Sequence, residues 1–172
     1  MRNPLLYIFF FIVVILLQLL VFDKALWGVY LHPLAYVAIV LLLPMQMHPA
    51  LVLTVGLLTG VTMDLFTGDA GLNTIATLPV AILRPALLPL LAGRDQMKEG
   101  GAPVAATVGS GKFARYSLVM ILIHCIIYFC FESLSWAQLN ITLLRIVLGT
   151  AVTFLLVWLL QMLFSAAYNP NR

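Results

Sequence analysis

From Pro4 to Phe164 the chain is a succession of apolar runs, each long enough to cross a hydrocarbon core about 30 Å thick, joined by short polar turns. In lipid a backbone satisfies its own N–H and C=O groups only as a helix or a closed barrel. Continuous runs of about 20 apolar residues, without strict alternation, select the helix. Hydrophobic residues make up 63% of the 172 and charged residues 9%, with a mean hydropathy of +1.11, which excludes a soluble domain.

Six candidate spans follow, over residues 4–22, 27–47, 49–66, 71–92, 113–132 and 141–164. The expected fold is an all-α integral membrane protein, one bundle of about six transmembrane helices and a single domain over residues 1–172. The span 27–47 is the weakest, since Gly28, His32 and Pro33 precede its apolar part and Pro44 lies near its end. Five helices is the alternative count. The first run has no small-x-small cleavage pattern and reads as a retained helix.

Charge sets the expected orientation. With the amino terminus inside, Arg2, Arg94, Lys98, Lys112, Arg115 and Arg172 fall on the cytoplasmic face and only Lys24 among the loop cations falls outside. Both termini are then cytoplasmic. Trp27, Tyr30 and Trp136 mark the outer interface, and Tyr7, Tyr116 and Tyr168 lie toward the inner one. Residues 93–112 form the long cytoplasmic loop, whose Gly and Ala content reads as flexible. The basic residues are scattered along span edges, a pattern of topology and not of nucleic-acid binding.

The stretch 56–84 carries most of the local information. Gly56, Gly60 and Asp64 recur every four residues along one helical face, a polar turn containing Gly68 follows, and the next helix opens on Gly71, Asn73, Thr74 and Thr77 before reaching Arg84. An ionised group at a helix centre costs about 2.5–3.5 kcal/mol on insertion scales, so such residues face inward, pair, or are used. In a hairpin centred near Gly68, Asp64 sits opposite Asn73 at the start of a helix, where free N–H groups and the dipole favour a carboxylate. Arg84 lies about 16 Å deeper, out of reach of Asp64, and is expected to snorkel toward the cytoplasmic headgroups. Arg145 shares the outer depth of Asp64, with Glu132 as a competitor. The expectation is one outer polar cluster of Asp64, Asn73, Thr74, Arg145 and Glu132, acting either as an interhelical lock beside the packing glycines or as a ligand or partner surface.

Reactive constellations are missing from the sequence: no HExxH, no GxSxG, no acidic pair at metal spacing. The run GSGK at Gly109 to Lys112 fails as a phosphate loop because Ala106 and Phe113 stand at required positions. His32, His48 and His124 are isolated, and Cys125 and Cys130 read as small buried apolar residues. No cofactor or metal is expected.

Over Gly56, Gly60, Asp64, Gly68, Gly71, Asn73 and Thr74 the chain resembles the family of the rod shape-determining protein MreD. The resemblance implies a bundle similar to the S-components of energy-coupling-factor transporters. It implies a non-enzymatic role in cell-wall elongation, peptidoglycan synthesis and rod cell shape at the bacterial inner membrane. The implied direct partner is MreC, with MreB, RodA and a class B penicillin-binding transpeptidase as indirect partners. The alternative is a vitamin-type solute-binding subunit of an energy-coupling-factor transporter. A lipid or precursor flippase has weaker support, because a polar pathway should cross the whole membrane.

Overall fold

The computed structural model describes residues 4–24, 32–133 and 139–167. Trp27, Tyr30, Trp136 and Tyr168, expected at the interfaces, lie outside them. All described elements are helical: α1 (Pro4–Leu17, continued by a π-helical turn Gln18–Phe22), α2 (Val37–Leu41), α3 (Pro49–Thr67), α4 (Leu72–Ala92), α5 (Gln96–Glu99), α6 (Ala105–Val108), α7 (Ser110–Ser133) and α8 (Leu139–Ala167). Five, Pro4–Phe22, α3, α4, α7 and α8, are long and apolar enough to cross a membrane. At 1.5 Å per residue α3 and α4 are about 28 and 31 Å long, the thickness of a hydrocarbon core.

The expected second span is not a membrane-length helix. After Pro33 the chain makes a tight turn and one short helix at α2, which ends at Leu41, and Pro44, with no N–H to offer the carbonyl four residues back, keeps the helix from resuming. Residues 34–43 are nevertheless buried throughout, none more than 5% exposed. This segment enters beside Asp23 and His32 and leaves at Gln46, whose amide donates to the carbonyls of Met97 and Lys98 at 3.3 Å. It therefore traverses the bundle from the end of the α3–α4 turn, the hairpin end, to the end carrying residues 93–112, the loop end. Five long helices and this broken segment run between the two ends of the bundle, and the described termini share the loop end, where Tyr7 and Phe10 meet Phe164 at ring-centroid distances of 5.4 and 4.8 Å.

A broken segment in a bundle's centre frees backbone groups that lipid cannot satisfy. Four helices supply the missing partners. At the hairpin end the Leu34 N–H donates to Thr153 Oγ1 of α8 at 3.0 Å and the Ala35 N–H to Gln18 Oε1 at 2.8 Å, while Gln18 Nε2 donates to the Pro33 carbonyl at 2.9 Å. At the other end Tyr116 Oη of α7 donates to the Leu41 carbonyl at 3.1 Å and the Arg84 guanidinium of α4 donates to the Leu43 carbonyl. Arg84 is thus 1% exposed and serves as a cap; it does not snorkel.

Part of residues 93–112 packs against the bundle. Ala102, Pro103 and Val104 are buried, the Met45 N–H donates to the Gly101 carbonyl at 2.8 Å, and the Ala105 N–H donates to Gln161 Oε1 of α8 at 3.1 Å. Cys125 is buried as expected, but Cys130 faces outward.

Candidate functional site

The turn between α3 and α4 runs through Gly68 and Gly71, both in the left-handed region at φ 79° and 91°. Gly71 holds the N-cap position of α4 and has no side chain to accept from the first turn. Asp64 supplies the acceptor from the neighbouring helix. Its Oδ1 accepts from the Asn73 N–H at 2.8 Å and from Asn73 Nδ2 at 3.0 Å, and its Oδ2 accepts from the Thr74 N–H at 3.0 Å and the Thr74 hydroxyl. These are the two backbone donors an N-cap side chain ordinarily takes, met by a full charge at the positive end of the helix dipole.

Close approach makes that reach possible. A Cβ on Gly60 would stand 2.5 Å from Thr74 Cα, and one on Gly56 would stand 2.7 Å from Ala81 Cβ. The two glycines are the surface on which α4 lies, and the carboxylate is the latch at its end.

From Asn73 a buried chain runs to the centre. Tyr36 Oη donates to Asn73 Oδ1 at 2.8 Å and lies 3.2 Å from His124 Nε2. With the hydroxyl proton directed at Asn73, the imidazole must donate from Nε2, which leaves His124 Nδ1 an acceptor; that atom is buried and has no partner. Tyr128 stacks on His32 at 5.6 Å with its hydroxyl 3.2 Å from His32 Nε2. Neither histidine is isolated, contrary to the sequence expectation.

The expected single cluster is two units. Arg145 pairs with Glu132, its Nη2 within 2.8 Å of Oε2 and 2.9 Å of Oε1, and its guanidinium lies 5.0 Å from the Phe129 ring centre. Asp64 is taken up by Asn73 and Thr74 and makes no ion pair. The described residues hold only one other ion pair, the exposed Lys98–Asp95.

Two concavities flank these units. At the hairpin end a cavity of about 600 Å³ is lined by residues including Gln18, Asp23, His32, Tyr36, Asn73 and Glu132. Apart from Asn73 and Glu132, sequence reasoning missed these; the available signal was Gln18 in an otherwise apolar run, beside which the π turn brings Asp23 so that Gln18 Nε2 donates to its Oδ1 at 2.8 Å. In the loop-end half an apolar groove of about 350 Å³ opens between α1 and α3, and Ile39, Leu42 and Leu43 of the central segment form part of its lining. Among the described residues no group of His, Cys, Asp and Glu is placed to hold a metal ion. No protein-family model, curated protein or solved structure matches the chain.

Proposed function

We propose that this protein is a non-enzymatic membrane scaffold of the MreD type, which binds the single transmembrane helix of an MreC-type protein and so positions bacterial cell-wall elongation, with both termini cytoplasmic. The observation that carries this reading is how the residues behind the resemblance are spent. Gly56, Gly60, Asp64, Gly68, Gly71, Asn73 and Thr74 all build the α3–α4 hairpin: two as packing surface, two as turn, three as latch. A rigid hairpin with internally satisfied polar groups suits a protein whose work is helix packing. The groove between α1 and α3 gives a partner helix a seat, with Ile8 and Leu58, 56% and 55% exposed, on its two walls.

The test is co-purification from bacterial membranes in mild detergent, with mass spectrometry of what remains bound through size exclusion. Near-stoichiometric recovery of a protein with one membrane helix and a periplasmic coiled coil is the expected result. Recovery of a transporter ATPase with its coupling subunit would replace this reading with the second one, a vitamin-binding subunit, which the hairpin-end cavity favours because its volume suits a small ligand.

A further inference from the structure

The hairpin-end cavity has two unlike walls. On one side Leu16 of α1, Leu20 of the π-helical turn and Phe66 of α3 line it while also standing on the outer surface of the bundle, 49%, 68% and 69% exposed. That side is apolar and open at the outer surface. The other wall carries Gln18, Asp23, Tyr36, Asn73 and Glu132, with the exposed Lys24 beside them.

Lys24 apart, the hydrogen-bonding capacity left over among the amide and carboxylate groups of the polar wall is of one kind. Gln18 gives its amide hydrogens to Asp23 and the Pro33 carbonyl and its oxygen to the Ala35 N–H. Asn73 gives its oxygen to Tyr36 and its amide hydrogens to Asp64 and Asp69. Glu132 is held by Arg145. Asp23 Oδ2 is buried without a partner, and the bonds that Thr67 and Asn73 give to Asp69 both fall on its Oδ2. The wall therefore offers acceptors and negative charge, and what completes it is a cation that carries N–H donors.

We propose that this cavity binds the primary ammonium group of an amphiphile, an aminophospholipid whose ammonium is received by Asp23 and whose chains leave past Leu16, Leu20 and Phe66. Lys24 stands where it can meet the phosphate of the same zwitterionic headgroup. The inference does not depend on the scaffold reading.

The experiment is thermal unfolding of the delipidated protein in detergent with added phosphatidylethanolamine, phosphatidylcholine, phosphatidylglycerol or free ethanolamine. Phosphatidylethanolamine at a hundredfold excess over its Kd is expected to raise Tm by about 5 °C or more. Phosphatidylcholine, which has no N–H, and the anionic lipid are expected to leave Tm at the detergent value. Asp23→Asn should abolish the rise, and so should Leu20→Trp, which adds bulk on the apolar side. An equal rise with phosphatidylcholine would overturn the proposal, as would a full rise in either variant. The same rise with free ethanolamine would assign the site to a soluble amine and overturn the lipid assignment.

Discussion

At the scale of single residues, the latch and the cap make opposite demands on their substituents. Asp64 accepts four hydrogen bonds, so Asp64→Ala leaves two helix-start N–H groups bare and is expected to cost about 2–3 kcal/mol of unfolding free energy. Asp64→Asn, which keeps one acceptor oxygen, should recover part of that loss; reversible unfolding in mixed detergent measures both. Arg84→Met strands the Leu43 carbonyl in the core and is expected to cost about 1–3 kcal/mol. Arg84→Lys, which can still donate, should cost less than Arg84→Met in the same assay. The two residues also differ in how far sequence reveals them. Asp64 lies nine residues from Asn73 across a glycine turn that fixes register, so its partner can be named from spacing. Arg84 bonds a carbonyl 41 residues away that is free only because the chain breaks near Pro44, and no spacing argument reaches it.

At the scale of elements, glycine position separates packing from mere flexibility. Gly60 faces the backbone of Thr74, which cannot yield, whereas a Cβ at Gly111 of α7 meets nothing within 4 Å. Gly60→Ala is expected to push α3 off α4 and lower thermal stability, and Gly111→Ala to leave it level or raise it by about 0.5–1 kcal/mol. Gly149 also approaches its neighbour closely, with a Cβ there 2.6 Å from the Phe129 ring, yet it has no companion glycine on its face to signal the contact in sequence. Residues 27–47 show the limit of hydropathy. A continuous apolar run states that a segment is buried, and residues 34–43 are buried; whether it is helical depends on whether side chains such as Gln18, Arg84, Tyr116 and Thr153 can stand in for its lost bonds.

At the scale of the whole molecule, five long helices and one broken segment, each running between the two ends of the bundle, put both described termini at one end. Reporter domains fused to either terminus are expected to report the same compartment, and opposite compartments would contradict the traverse of residues 32–47. The groove between α1 and α3, part of whose lining is Ile39, Leu42 and Leu43 of the central segment, is where a partner helix is proposed to seat. The direct test is a photo-crosslinking residue placed at Leu58 in living rod-shaped bacteria, with Leu90, 71% exposed on α4 and outside the groove, as the reference position. A strong adduct from Leu58 to a protein with a single membrane helix, absent from Leu90, is the expected result. Equal adducts from both positions, or none from Leu58 in cells whose shape depends on the protein, would contradict the scaffold reading.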